Sequence, residues 1–412
     1  MPIDGTAKRS TVISRTPLPL AGLKVLDVTQ VMAGPFCCQL LGDLGAEVTK
    51  VEPVEGGDAS RSGMGPTLAG GESAAFLAVN RNKRSIAIDL KTSHGREVLH
   101  RLAETADVLV ENFRPGVTHR LGIDYATMRE INPRLVYASI SGFGQDGPYA
   151  SRPGYDLIAQ AMSGVMSVTG EPGRHPVKSG IPVADLSAGM FCVIGILSAH
   201  HSCQITGAGQ HVDVSLFESA LALSIWETAE LWATGQVPQP VGSAHRLIAP
   251  YQTLRARDGY LVIGANNQRL WSRLCTALER AELMSDERFS TNAQRMANQE
   301  ALTAELESAL QHRDAEDWVS LLLDAGVPAG PIQNYEQACS DPHTLAREMV
   351  VTMDHPTEGT IKALGLPIKL SETPGQIRYP APRLGQHTDE VLEEAGFGAE
   401  ARRELRESGA VR

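Results

Sequence analysis

The sequence predicts an α/β protein, with a doubly wound parallel sheet in a large domain and a smaller α+β domain inserted into it. Three observations predict this. From Leu23 onward, short β-branched runs alternate with stretches of helical periodicity, the pattern of a parallel sheet covered on both faces. A stretch from about Ser187 to His201 is apolar almost all round and reads as a helix buried in a large core. Beyond the Pro-rich segment Gln236–Pro240 the texture changes to a hairpin followed by amphipathic helices, which marks a second domain.

In chain order, Lys24–Thr29 (KVLDVT) reads as a buried strand, and Pro35 suits the first position of a helix running to about Leu44. Strands follow at Glu47–Glu52, Ser85–Leu90, Asp107–Asn112 and Leu135–Ile140, with a helix near Gly95–Thr105. Gln210–Leu216 returns to strand, and Phe217–Ala233 reads as one long helix. In the smaller domain Leu254–Gly264 forms a hairpin turning at Asp258-Gly259, and helices fill roughly Leu270–Leu323. Strand-like runs recur between Arg347 and Gly375, and Gln386–Gly396 and Ala399–Glu407 read as terminal helices. The implied boundaries are a disordered tail 1–18, a large domain 19–225, a linker 226–241, a small domain 242–335 and a return to the large domain over 336–412.

Composition narrows the function classes. The 412 residues suffice for two or three domains, and the hydrophobic share of 42% is that of a globular chain. A net charge of −11 argues against a nucleic-acid or anionic-membrane surface, so an anionic ligand must meet a local basic cluster. The six cysteines (Cys37, Cys38, Cys192, Cys203, Cys275, Cys339) form no C-x-x-C pair and read as reduced buried thiols. Neither they nor the histidines show zinc spacing, so no metal is expected. No apolar run is expected to reach the ~18 residues a membrane span needs. The first twenty residues hold no secretory h-region. A cytoplasmic protein is expected, or a mitochondrial-matrix one in a eukaryote.

Gly142-Phe143-Gly144-Gln145-Asp146-Gly147 fits the G-x-G-x-x-G dinucleotide pattern, but Pro148, Pro153 and Gly154 follow. No helix is expected to open there to receive a pyrophosphate, so the pattern argues against a nicotinamide site, and a flexible glycine-rich loop remains. There is no G-x-S-x-G elbow, P-loop or H-E-x-x-H. Asp185, in GIPVADLSAG, immediately precedes the apolar helix. Its plain role is an N-cap. Its chemical role is a nucleophile that the helix terminus keeps ionised, with Gly180 and Gly189 leaving room for a bulky ligand. Arg81, Lys83, Arg84, Lys91, Arg114 and Arg120 form a basic set. Arg81 and Arg84 read as a solvated face. Arg114 follows the end of a strand, where such sheets bind ligands and a polyphosphate nucleotide is a natural partner.

Ordered motifs across the chain carry a resemblance. They are PLAGLKVLDVTQVMAGPF (Pro19–Phe36), GDLGAEVTKVEP (Gly42–Pro53), NRNKRSIAIDLK (Asn80–Lys91), VENFRPGV (Val110–Val117), GYDLIAQAMSG (Gly154–Gly164), GIPVADLSAGM (Gly180–Met190), GSAHRLIAPYQ (Gly242–Gln252) and LGQHTDEVL (Leu384–Leu392). From Pro19 to Arg412 the chain resembles the family III CoA-transferases. The resemblance implies a Rossmann-like large domain, an interlocked homodimer, and Asp185 as a nucleophile that forms mixed-anhydride and aspartyl-CoA thioester intermediates. It implies that Gln30, Val31, Met32 and Ala33 line the pantetheine and thiol end of coenzyme A, which is a substrate and not a tightly bound cofactor. Ile88, Lys91, Asn112, Phe113, Arg114 and Arg120 would hold the nucleotide, and Gly154, Tyr155 and Asp156 the active centre.

GSAHRLIAPYQ with IGANNQ (Ile263–Gln268) is similar to members that use succinyl-CoA with small dicarboxylates. His245, Arg246 and Asn267 are candidates to bind the acceptor acid; the alternative is that His245 and Arg246 only organise a loop. Pro53 stands where some members carry a basic residue, and the glycine-rich lid of the formyl-transferase branch has no counterpart, which disfavours formate and oxalate. An α-methylacyl-CoA racemase is the enzymatic alternative, but Tyr155 occupies the place of its histidine. With an unperturbed pKa of about 10, tyrosine is a poor base at neutral pH. A non-catalytic CoA-binding protein is the remaining alternative.

Overall fold

Six strands pair in parallel in the order β3-β2-β1-β4-β5-β6: β1 (Lys24–Asp27), β2 (Glu47–Glu52), β3 (Lys83–Ala87), β4 (Val108–Glu111), β5 (Val136–Ser141) and β6 (His211–Ser215). This is seen in a computed structural model that describes residues 17–412. Of the expected tail 1–18, only Pro17 and Leu18 fall among the described residues. Every residue of β4 and β5 is buried, including Glu111, Ser139 and Ser141, as in a parallel sheet covered on both faces. The chain runs outward from β1 to β3, then returns to lay β4 against the other side of β1. The loops leaving β1 and β4 therefore diverge at a topological switch point, the place where open sheets of this kind take ligands.

The chain divides into two compact units. The first comprises the chain through Ser163, Ile181–Leu223 and Ala346–Arg412. Its C-terminal residues seal the sheet: the His387 N–H donates to the Ser85 carbonyl at 2.9 Å, and Val411 bridges to Ile88. An antiparallel pair, Val350–His355 with Gly359–Leu364, also belongs to this unit. The second unit comprises Gly164–Gly180 and Ser224–Leu345. It holds the antiparallel strands Tyr251–Arg255, Tyr260–Gly264 and Ala329–Pro331, with helices packed on a core that includes Leu261, Ile263, Trp271, Leu306 and Trp318. Gly164–Gly180, which the sequence reading left in the large domain, joins this unit; the Gly242 N–H donates to the Gly170 carbonyl at 2.9 Å.

Several elements differ from expectation. The helix holding Pro35 runs Ala33–Asp43, so Pro35 lies third in its first turn. That position is tolerated because the missing N–H would have no intrahelical partner. The single helix expected over Phe217–Ala233 breaks into Leu216–Ala222 and Ile225–Thr234. The apolar helix is longer than expected, Val183–Thr206, and is not buried all round. Ala188, Cys192 and Ile196 face the core, whereas Met190, Phe191 and Ile194 are exposed, Ile194 by 59%. By length and mean hydropathy (1.6) it is apolar enough to cross a membrane, contrary to expectation, with 44% of its apolar window buried in the fold. All six cysteines are free, five of them buried.

Two glycines let this long helix approach its neighbours. A Cβ built on Gly189 would stand 2.9 Å from both the Ala33 carbonyl oxygen and the Phe36 ring, and one on Gly195 would stand 2.6 Å from the Val212 side chain. Gly189→Ala is therefore expected to force the helix Ala33–Asp43 away and to cost about 1–3 kcal/mol, as overpacking usually does. Urea unfolding of the two proteins side by side checks this; an unchanged midpoint would mean the interface has slack.

Candidate active site

Charged residues sit where the switch point needs a rigid loop. Asp27 ends β1, and Lys50 (β2) and Lys83 (β3) lie beneath the loop that follows; all three are fully buried. Lys83 Nζ donates to Asp27 Oδ2 at 2.8 Å, Asn80 Oδ1 at 2.8 Å and the Pro35 carbonyl at 2.9 Å. Lys50 Nζ reaches the Thr29 carbonyl at 2.9 Å and Asp58 Oδ2 at 2.9 Å. Burial would raise the Asp27 carboxyl, but Lys50 and Lys83 outweigh it and hold the pKa down at about 2. Asp58 in turn accepts the Val31 N–H at 3.1 Å. That bond helps hold Val31 at φ 71°, a left-handed conformation a β-branched residue rarely adopts.

The loop is clamped from β4 as well. The Asn112 amide accepts the Gln30 N–H at 2.9 Å and donates to the Gln30 carbonyl at 2.7 Å. Asn112 is thus committed to the backbone across the switch point. Gln30, Ile88, Lys91 and Phe113 line one cavity of about 450 Å³ at the carboxyl ends of the strands, together with Pro53 and Val117. Arg114 and Arg120 are exposed on the loop and short helix Val117–Leu121 that follow β4, and do not line it. A larger cavity, about 740 Å³, is bordered by Lys24, Glu47 and Arg84 at the opposite, amino ends of the strands. The basic set divides accordingly. Arg81, expected on a solvated face, is buried and pairs with Asp43 at 2.7 Å, whereas Arg84 pairs with Glu390 and Glu394 nearer the surface.

Met32 is the N-cap residue of the helix Ala33–Asp43. The Ala33 carbonyl lies against Gly189, so Asp185, one turn earlier on the long helix, is about 6 Å along its axis from that contact. Gly189 therefore makes room for this helix and not for a ligand, correcting the sequence reading. A second correction concerns Asp185 itself, which sits third in the helix and is not its cap. The cap comes from Asp156, whose Oδ1 accepts the N–H of Ala184 at 2.9 Å and of Asp185 at 3.3 Å. Gln160 Nε2 steadies the other oxygen at 2.6 Å. Among the described residues the Asp185 side chain has no hydrogen-bond partner, and burial followed by the Asp156 charge pushes its pKa up to about 7. The helix terminus does not keep it fully ionised, contrary to expectation.

The glycine-rich loop reaches this pair through a close crossing: a Cβ on Gly154 would stand 2.7 Å from the Gly142 Cα. Tyr155 precedes the helix Asp156–Met162 with its side chain 70% exposed. The remaining candidates belong to the second unit. Arg246 is held by Glu227 at 3.7 Å and Glu230 at 3.4 Å. His245 stacks on Tyr251 with ring centroids 5.2 Å apart. Asn267 caps the helix Gln268–Ala277 through the Leu270 N–H at 3.0 Å. Sequence reasoning missed Asp27, Lys50, Asp58 and the capping role of Asp156. The legible signal was a charge inside each buried strand (KVLD, EVTK), because a charge there needs a partner.

The family model described as CoA-transferase family III matches residues 20–388. The chain is 39% identical to a succinate–glutarate CoA-transferase of Agrobacterium fabrum, over 91% of this chain and 95% of that protein. It is 42% identical to an acetyl-CoA:oxalate CoA-transferase of Acetobacter aceti, over 89% and 93%. A crystal structure of a CAIB/BAIF family protein from Brucella suis superposes with a TM-score of 0.83 at 41% identity, covering 92% of this chain and all of that one.

Asp156→Asn keeps an oxygen for the cap but removes the like charge, so the Asp185 carboxyl should titrate below 7 in a carbon-13 NMR titration. Stability follows with a definite sign. The folded protein binds the Asp185 proton more tightly than the unfolded chain does, so this group favours folding at low pH. That advantage is lost as pH rises from about 4, the unfolded value, toward 7. Asp185→Asn should therefore raise Tm at pH 8 and lose its advantage near pH 4. An equal effect at both pH values would contradict the raised pKa.

Proposed function

The chain belongs to CoA-transferase family III, and from that premise we propose that it moves coenzyme A from succinyl-CoA to a small dicarboxylic acid on Asp185. One observation carries the assignment. Asp156 takes the helix N–H groups, so the Asp185 carboxylate, on the helix that packs against Ala33 through Gly189, is uncommitted among the described residues. A carboxylate so placed can act as a nucleophile. Its oxygen attacks the thioester carbon, CoA leaves as thiolate, and an acyl-aspartyl anhydride remains. The thiolate then attacks the aspartyl carbonyl, expelling the donor acid and forming the aspartyl-CoA thioester. The acceptor carboxylate attacks that carbonyl, releasing thiolate and forming a second anhydride. The thiolate attacks the acceptor acyl carbon, giving acceptor-CoA and free Asp185. Each activated acyl replaces another, so the cycle calls for no ATP or metal.

Gln30, Val31, Met32 and Ala33 serve the thiol end in this proposal, and the cavity lined by Ile88, Lys91 and Phe113 takes the nucleotide. Arg114 and Arg120 supply cations for its phosphates from outside the cavity lining. His245, Arg246 and Asn267 bind the acceptor, with Arg246 positioned by Glu227 and Glu230. Two copies interlock as a homodimer, and exposed apolar side chains such as Ile194 and Trp232 are available to such an interface. Relatives named for succinyl-CoA with glutarate or mesaconate support a dicarboxylate acceptor. The oxalate-named relative returns oxalate to the acceptor panel, against the expectation drawn from the missing glycine-rich lid.

Asp185→Ala should abolish CoA exchange between succinyl-CoA and every acid in a dicarboxylate panel read by mass spectrometry, while CoA binding persists. Exchange surviving in that variant would remove Asp185 from the chemistry. Deuterium entering the α-carbon of an (R)-2-methylacyl-CoA without any acceptor acid would instead favour the racemase reading.

A further inference from the structure

A second buried carboxyl stands at the switch-point end of β4 and plays no part in the chemistry above. Glu111, the last residue of β4, is 2% exposed, and among the described residues no cation is ion-paired with it. A buried carboxyl without a cation is costly to ionise, and burial raises its pKa to about 7. Its partners are the Ser139 hydroxyl on β5 and the Phe113 N–H, which donates to Glu111 Oε2 at 2.8 Å. Beyond Ser139, its Oγ lies 2.9 Å from His211 Nε2 on β6. His211 is half-buried and stacks on Tyr125 with ring centroids 5.1 Å apart. With Ser139 and Gln145 it lines a cavity of about 250 Å³. The other titratable groups facing the chain are Asp213 on β6, whose charge opposes ionisation of Glu111, and Tyr137 on β5. Asp124 and His119 border the same cavity.

What Glu111 holds gives it consequence. Phe113, which it anchors by the backbone, lines the cavity assigned to the nucleotide. Asn112, between the two, clasps the Gln30 backbone. We propose that Glu111 is a positioning residue whose protonation, relayed through Ser139 and His211, sets how firmly the loop after β4 is held and so how tightly the enzyme binds coenzyme A.

The relay balances. With Glu111 ionised, the Ser139 hydroxyl donates to it, and His211 Nε2–H donates to Ser139. When a solvent proton enters at His211 Nδ1, the Nε2 proton passes to Ser139 Oγ and the Ser139 proton passes to Glu111. One proton is gained, and His211 remains neutral with its tautomer reversed. The Phe113 N–H then meets a neutral acceptor, and charge-assisted hydrogen bonds are roughly twice as strong as neutral ones. CoA should therefore bind more tightly above neutrality than below it.

This inference rests on the proposed CoA site, and the experiment separates the two. CoA binding is measured by calorimetry from pH 5.5 to 8.5 in the Asp185→Ala background, which removes the other group titrating near 7. Affinity is expected to fall about fivefold between pH 8 and pH 6. Adding Glu111→Gln should remove that step and leave only the slope due to the CoA phosphate. Adding Ser139→Ala instead removes a donor to the carboxylate and should move the midpoint to higher pH. If Glu111→Gln does not fold, the Ser139→Ala midpoint decides, and an unmoved midpoint overturns the proposal. Superimposable profiles with and without Glu111→Gln also overturn it. An Asp185→Ala protein that binds no CoA at any pH defeats the functional reading itself.

Discussion

Two buried lysines beneath a single loop are the constraint on which the rest of the site depends. Lys50 and Lys83 bind Asp27 and Asp58 and, through the Thr29 and Pro35 carbonyls, both ends of the loop after β1. Burying such charges is expensive, and removing one partner typically costs about 3–5 kcal/mol because the other is left uncompensated. The lattice is best understood as fixing a geometry, not as adding stability. It holds Val31 in a left-handed conformation, starts the helix Ala33–Asp43 at a set angle, and so brings Ala33 against Gly189 on the helix that carries Asp185.

Two carboxylates share the terminus of that helix and divide its work. A helix N-terminus offers unpaired N–H groups and favours one negative charge. Asp156 takes the hydrogen bonds, leaving Asp185, among the described residues, without a hydrogen-bond partner and reluctant to ionise. With a pKa near 7 the Asp185 carboxyl is half ionised at neutral pH, and the nucleophilic role proposed for it would gain from that higher basicity. The same arrangement disfavours the folded state as pH rises, an expense in stability that is common where a site holds a perturbed group.

Much of the fold was legible because local rules and tertiary context agreed. β2 matches its expected bounds, Glu47–Glu52, and the other sheet strands fall within a few residues of theirs. Glycine and proline placement argued against a helix opening on Gly142–Gly147, and the structure has no helix between Gly142 and Asp156. Helix burial was not legible in the same way. An apolar composition cannot separate a face turned to the core from an apolar face left exposed, as Ile194 is. Nor could spacing reveal that Gly189 serves a neighbouring helix, since that contact joins residues about 150 positions apart in the chain.

The sequence by itself determined the alternation of strand and helix and the family motifs, and it singled out Asp185 as a candidate. Those follow from local periodicity and residue chemistry, which need no partner to be read. Only the tertiary structure decided that Asp156 caps the helix, that Asn112 holds Gln30, and that Asp185 and Glu111 are both pushed to about 7. A carboxyl's charge state depends on its desolvation and on which charges stand within a few ångströms. In this chain those neighbours come from strands and helices far apart in sequence.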